Sequence, residues 1–260
     1  MRPLAIDLFC GLGGWTDGLL AEGWDVTGFD IERHEYGYER YPAQLVIQDV
    51  LTIHGSQFRD ADLIVASPPC QTYSYMAMPW SRAKAKAAAI RADETCQAKA
   101  DLNALFNACF RIQREASEAA GRHIPMVVEN VRGAQPWVGR ARWNFGSFYL
   151  WGDVPALMPA TMHAVKVLGE DWNRFKDHGI QSPSWRDQAS KVPRFRFDGN
   201  GGSFQTASVK GTFGWSKDSD LRNNNSKSSA RKAASARIAK IPLPLSRWIA
   251  SLYLPQRIAA

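Results

Sequence analysis

Nowhere does this chain run to the roughly 18 consecutive apolar residues that a membrane-spanning helix needs. Its N-terminus, MRPLAIDLFCGLGG, reads as a strand entering a glycine turn rather than as a targeting segment. Cysteine is scarce. The four residues Cys10, Cys70, Cys96 and Cys109 are widely spaced, and no pair has the C-x2-4-C spacing that sets two thiolates on one zinc, so no metal site is expected. A chain of 260 residues with so few cysteines is also unlike a disulfide-stapled secreted module. No internal repeat is visible. These absences lead us to expect a cytoplasmic, enzyme-like protein with one large domain and a small appendage, associated with neither membrane nor metal.

What the chain does have is an uneven positive charge. The net charge is +7, yet the stretch from Arg186 to Lys240 holds twelve basic and four acidic residues, a local excess larger than that of the whole chain. A block of this kind suits a polyanion, of which nucleic acid is the commonest, although a solvated basic loop would have the same composition.

Short β-branched and apolar runs recur at Leu4 to Phe9, Asp25 to Phe29, Leu45 to Gln48, Asp62 to Ala66 and Ile124 to Val128, separated by segments long enough for helices. The clearest helix is Asp101 to Ala119, where Leu102, Leu105, Phe106, Cys109, Phe110 and Ile112 put most apolar groups on one face. Strands alternating with helices predict an α/β fold built on a doubly wound, mostly parallel, Rossmann-like sheet, with ligands bound outside the carboxyl ends of the strands. Beyond Tyr149 the composition turns irregular, and an apolar segment resumes near Ile241. The expected organisation is a catalytic and cofactor-binding domain over 1–150, a small basic region with a polar linker over 151–236, and a C-terminal helix over 237–260 that returns to the first domain.

The polar residues of interest follow the strands. In DLFCGLGG, Gly11, Gly13 and Gly14 lack the Cβ atoms that would keep backbone N–H groups from a ligand at the start of the next helix. Asp30 ends the second strand, placed to accept from ribose hydroxyls, and Asp49 ends the third, placed to accept from an exocyclic amine; Phe9 offers an apolar face. Each acid is equally readable as a strand-end cap. In ASPPCQTYS, Pro68 and Pro69 restrict the backbone that presents Cys70 after the fourth strand. Its thiol is then a candidate nucleophile, against the alternative of a small buried hydrophobe. Glu129, in VVENV, follows the fifth strand, where a carboxyl can be kept protonated to serve as an acid or can simply form an ion pair.

Taken in order, DLFCGLGG, SPPCQ and ENV resemble the motifs of the DNA cytosine-5 methyltransferase family, and the small size resembles its phage and prophage members. The resemblance covers residues 4 to 133. It implies the S-adenosylmethionine-dependent methyltransferase fold and S-adenosyl-L-methionine as cofactor, held by Phe9, Gly11, Leu12, Gly13, Gly14, Asp30, Ile31, Asp49, Val50 and Pro68. It also implies a monomer acting on double-stranded DNA in a bacterial or phage-infected cell. Cys70 would add to a flipped-out cytosine while Glu129 protonates the ring and Asn130 orients its neighbourhood. Gln71, Ser74, Arg82 and Lys84 would meet DNA from a mobile loop spanning Gln71 to Ala100, a stretch equally readable as an alanine-rich helix with solvated lysines. Residues 151–236 would stand in the place of the family's target-recognition region, small and irregular here with a mobile linker, from which Arg194 and Arg196 would meet DNA.

Two motifs are strained. The family's Q-x-R-x-R strand has its counterpart in GRAR, too soon after Glu129 for a complete helix and strand between; Arg142 is then the base-contacting residue and Arg140 a DNA contact, or both are structural. The family's G-N-x-V-P turn is similar to IAKIP, where Ala239 and Lys240 would border the cofactor, and a cation there would suit a carboxylated donor. The remaining alternatives are an RNA cytosine-5 methyltransferase, a catalytically silent DNA-binding protein of this fold, and a redox protein using Cys70.

Overall fold

The computed structural model describes residues 2–73, 80–156, 232–233, 236–237 and 239–255. Seven strands form one sheet: β1 (Leu4–Leu8), β2 (Asp25–Asp30), β3 (Gln44–Ile47), β4 (Leu63–Ala66), β5 (Met126–Asn130), β6 (Trp143–Phe145) and β7 (Phe148–Gly152). Their order is β3-β2-β1-β4-β5-β7-β6. The first five are mutually parallel, with Leu8 opposite Phe29 and Ala66, and Ala66 opposite Val128. The last two are antiparallel, β7 to β5 and β6 to β7. The fold is therefore the mostly parallel α/β sheet expected from the alternation of strands and helices. Because the chain winds outward from β1 to β3 and then restarts at β4, the switch point lies between β1 and β4, where such sheets bind ligands.

Helices α1 (Gly14–Ala21), α2 (Trp80–Ala92), α3 (Gln97–Ala120), α4 (Gln135–Val138) and α5 (Leu243–Leu252) accompany the sheet. The apolar stripe of α3 buries Phe106, Ala108, Cys109, Ile112 and Ala116. These join Ile6, Leu8, Ile64, Ala66, Met126 and Val128 in the core, and Gly121, in the left-handed conformation, ends the helix. α1 and α5 lie so close that a Cβ on Gly18 would stand 2.4 Å from the Ser246 carbonyl carbon.

Two expectations need correction. β5 runs to Asn130 rather than stopping at Val128, because its pairing with β7 (Glu129 opposite Leu150, Asn130 opposite Tyr149) extends the ladder, so Glu129 lies within the strand. The stretch Gln71 to Ala100 is not one loop: α2 occupies Trp80–Ala92, with Ala83 and Ala87 buried four residues apart and Arg82, Lys84, Lys86 and Arg91 exposed. As the compressed spacing of GRAR implied, only a single 3-10 turn and the four-residue α4 fit between Asn130 and Arg140.

The chain divides into two compact units, 1–160 with 240–260, and 161–239. Among the described residues no helix is long and apolar enough to cross a membrane.

Candidate active site

The loop after β1 is shaped by left-handed backbone at alternate residues, with φ 56° at Phe9, 51° at Gly11 and 74° at Gly13. Gly13 and Gly14 serve the protein's own packing: a Cβ would meet Pro42 Cδ at 2.5 Å in the first case and the Ile241 nitrogen at 2.3 Å in the second. Gly11 differs, since a Cβ there would meet nothing within 4 Å. Its N–H donates to Asp30 Oδ2 at 2.9 Å, and Asp30 Oδ1 accepts from the Ile31 N–H at 2.8 Å. His34 Nε2 lies 3.5 Å from the same Oδ1. Burial alone would raise the Asp30 carboxyl, but the hydrogen bonds from His34 and the Gly11 and Glu32 amides outweigh it and hold the group below the ordinary carboxylate range.

At the end of β3, Asp49 caps a 3-10 turn by accepting from the Leu51 N–H at 2.9 Å. Val50, expected at the cofactor, is turned into the core at 2% exposure, because the turn that Asp49 caps aims it inward. Leu51 carries the exposed apolar side chain instead, as does Ile31 after β2, at 48% and 67% exposure. A hydroxylated sugar and a flat base fit these groups: the Asp30 carboxylate at the end of β2, the Asp49 side chain after β3, apolar side chains beside both, and open space at Gly11. Leu12 is buried, and half-buried Phe9 packs against the core.

Behind the loop lies a group absent from the sequence reading. Asp7 is 1% exposed; its Oδ2 accepts from the Thr16 hydroxyl at 2.7 Å, and Thr16 Oγ1 is 2.6 Å from the Tyr41 hydroxyl. Burial pushes the Asp7 carboxyl well above its ordinary range, with the charges of Asp30 and Asp17 adding to the rise. An acidic residue inside the apolar strand LAIDL is the one sign of it in the sequence, which does not reveal the Thr16 and Tyr41 partners.

Cys70 is half-buried, four residues beyond the end of β4. Its carbonyl accepts from the Tyr73 N–H at 3.0 Å, closing a turn. Pro68 is buried, and its carbonyl accepts from Asn130 Nδ2 at 2.9 Å. Asn130 Oδ1 in turn accepts from the Val131 N–H at 2.8 Å. Glu129 is 5% exposed, on the strand next to β4 and at the same end of the sheet. Ser67 Oγ accepts from the Trp15 indole N–H at 3.0 Å, joining the cysteine turn to α1. All four cysteines are thiols rather than disulfides, and Cys109 lies in the core as its helical position implied.

The other nominated residues are scattered. Gln71 is exposed beside Cys70, and Arg82 and Lys84 are exposed on α2. Arg140 and Arg142 are exposed at the entry to β6, with the Arg142 N–H donating to the Leu150 carbonyl at 2.9 Å. Ala239 is exposed. Lys240 does not stand as a lone cation near the cofactor loop: its Nζ is 2.7 Å from Asp17 Oδ2, so its charge is already matched. Ser74, Arg194 and Arg196 lie outside the described residues. Among the described residues no cluster of His, Cys, Asp and Glu has the makings of a metal site.

A mostly parallel sheet with a glycine loop after β1, acids at the ends of β2 and β3, a thiol after β4 and a carboxyl on β5 gathers these groups at the edge where open α/β sheets hold their ligands. Residues 4–88 match the family model of the C-5 cytosine-specific DNA methylase, so the resemblance carried by DLFCGLGG and SPPCQ holds over that third of the chain, while Glu129 and Asn130 lie beyond it. No curated protein matches the chain. Several solved structures are partly similar. One, described as a DNA modification methyltransferase encoded within an E. coli prophage, is 23% identical with a TM-score of 0.33, over 51% of this chain and 33% of its own. The S. pombe Dnmt2 methyltransferase is 16% identical with a TM-score of 0.32, over 53% of this chain and 37% of its own. The Entamoeba histolytica methyltransferase EhMeth is 17% identical with a TM-score of 0.30, over 53% and 41%. The chain thus spans about a third to two fifths of the length of these proteins.

Proposed function

We propose that this protein methylates carbon 5 of cytosine in double-stranded DNA, with Cys70 as the nucleophile. The observation that carries the reading is the placement of Cys70 just after β4 and of Glu129 at the same end of the adjacent parallel strand β5, their segments clasped by the hydrogen bond from Asn130 to the Pro68 carbonyl. S-adenosyl-L-methionine, which would lie against Asp30, Asp49, Ile31, Leu51 and the Gly11 loop, supplies the methyl group when bound.

Carbon 5 of cytosine is a poor nucleophile. Attack of the Cys70 thiolate on carbon 6, with the Glu129 proton passing to ring nitrogen 3, makes the ring an enamine whose electron density sits on carbon 5. Once carbon 5 carries the methyl group, a base removes its proton, the carbon 6 to sulfur bond breaks, and nitrogen 3 returns its proton to Glu129. A paired cytosine hides carbon 6 within the stack, so the base must be extruded, at a cost of a few kcal/mol. The exposed cations Arg82 and Lys84 on α2, and Arg140 and Arg142 before β6, are suited to the phosphates around an extruded base.

The test is transfer of a tritiated methyl group to duplex DNA and to RNA, with mass analysis of the product nucleosides and Cys70→Ala as control. Label in DNA as 5-methylcytosine, abolished by Cys70→Ala, is the expected result. Label confined to RNA points to the RNA enzyme, and DNA binding without label to a silent binding protein. A cytosine carrying a larger one-carbon group points to a carboxylated donor.

A further inference from the structure

The interior of α3 holds a polar residue that the helix itself does not need. Asn103 is 5% exposed on the face that also buries Phe106 and Cys109, where leucine would pack without leaving polar atoms to satisfy. Both ends of its carboxamide are used. Oδ1 accepts from the Tyr73 hydroxyl at 3.0 Å, and Nδ2 donates to the Trp137 carbonyl at 3.0 Å. The Tyr73 hydroxyl shares its proton with the Leu102 carbonyl at 3.2 Å. Burial, reinforced by Cys109, pushes the phenol up to about 12, so it remains a donor throughout the neutral range.

The two ends of this chain of bonds belong to different halves of the candidate site. Tyr73 closes the turn that carries Cys70, through its N–H on the Cys70 carbonyl at 3.0 Å. Trp137 sits in α4, which follows Glu129 and Asn130, and the Arg91 guanidinium stands over its ring at 5.1 Å from the centroid. The bond from Asn130 to Pro68 ties the same two segments on the sheet side. Cys70 and Glu129 are thus held by two straps, one at the sheet and one through α3.

We propose that Tyr73 and Asn103 are positioning residues for methyl transfer: the buried chain from the Tyr73 hydroxyl through the Asn103 carboxamide to the Trp137 carbonyl sets the thiol of Cys70 against the carboxyl of Glu129. The inference rests on the function proposed above. The chain lies behind the site rather than in it, so it acts on geometry and leaves DNA and cofactor affinity alone. A misplacement of about 1 Å between reacting groups costs on the order of a hundredfold in rate, so partial loosening by one lost hydroxyl is expected to cost about tenfold.

The experiment compares wild type, Tyr73→Phe, Asn103→Leu and the double variant. It measures the single-turnover rate of covalent adduct formation on duplex DNA containing 5-fluorocytosine, the KM values for DNA and S-adenosylmethionine, and thermal stability. Tyr73→Phe is expected to slow adduct formation about tenfold with both KM values within about twofold of wild type, and the double variant to be no slower than Asn103→Leu, because the two side chains act as one unit. Tyr73→Phe, which keeps the ring, serves if Asn103→Leu does not fold. An unchanged adduct rate in Tyr73→Phe, a change in KM alone, independent multiplication of the two effects, or a loss of stability with full activity per folded molecule would each overturn the inference. If wild type itself forms no adduct, the function proposed above fails and this inference with it; an active wild type with indifferent variants defeats only this inference.

Discussion

At the end of β2, the chemistry of Asp30, the residue proposed to hold the cofactor ribose, is set by neighbours on two elements. His34 and the Gly11 and Glu32 amides outweigh burial and hold its carboxyl below the ordinary range. Replacing Asp30 with alanine is expected to weaken S-adenosylmethionine roughly ten- to hundredfold by calorimetric titration, the worth of a hydrogen bond to a charged group. Since its carboxyl lies below the ordinary range, wild-type affinity should stay flat from pH 8 to pH 5. Asp7 behaves oppositely. Its folded-state value is raised, so its neutral form is the one folding favours, and the associated stability is present at low pH and lost as pH rises through the folded value. The stability of Asp7→Asn relative to wild type, read from thermal melts, should therefore improve from pH 5 to pH 8. A constant difference would mean that Asp7 does not titrate as described. The acids after the strands were legible because Asp30 and Asp49 break apolar runs at strand ends. Asp7, Tyr41, Tyr73 and Asn103 were not, because their partners lie 9 to 34 residues away and only the fold brings them together.

Among the elements, α1 packs on the segment containing α5 with little tolerance for added atoms. Gly14 and Gly18 face Ile241 and Ser246 so closely that any side chain would collide with backbone, and Trp24 donates from its indole to the Ala250 carbonyl at 3.1 Å. Gly18→Ala should lower stability by about 1–3 kcal/mol in denaturant unfolding, the usual cost of overpacking, despite alanine's better helix propensity. A neutral or stabilising result would show that the helices separate at no cost. The parallel half of the sheet could be read in advance from buried runs such as LIVA at Leu63–Ala66, which period and length both mark as strand. The β6 and β7 hairpin could not. RWNFGSFYLWG mixes aromatic and polar residues, and its strand character comes from pairing with β5, the same pairing that moves the end of β5 out to Asn130. α2 was ambiguous for a related reason: an alanine- and lysine-rich segment has helix propensity but little apolar face, and the small face of Ala83, Ala87 and Ile90 turns it toward the protein interior.

For the molecule as a whole, the glycine loop and the cysteine turn flank the switch point of the sheet, with the Glu129 carboxyl on the next strand. In the sequence the positive charge is concentrated from Arg186 to Lys240, a composition suited to a polyanion. Order along the chain, rather than any single motif, made the site readable, because strand ends sort distant residues onto one edge. The spacing of GRAR was too compressed for the same logic, and Arg140 and Arg142 stand exposed before β6. The most direct test of the central claim is to incubate the protein with S-adenosylmethionine and duplex DNA containing 5-fluorocytosine, then map any crosslink that survives denaturation by peptide mass spectrometry. The account predicts a stoichiometric protein–DNA adduct through Cys70, absent in Cys70→Ala. An adduct at Cys10, Cys96 or Cys109, or none from a protein that still transfers methyl groups to DNA, would contradict it.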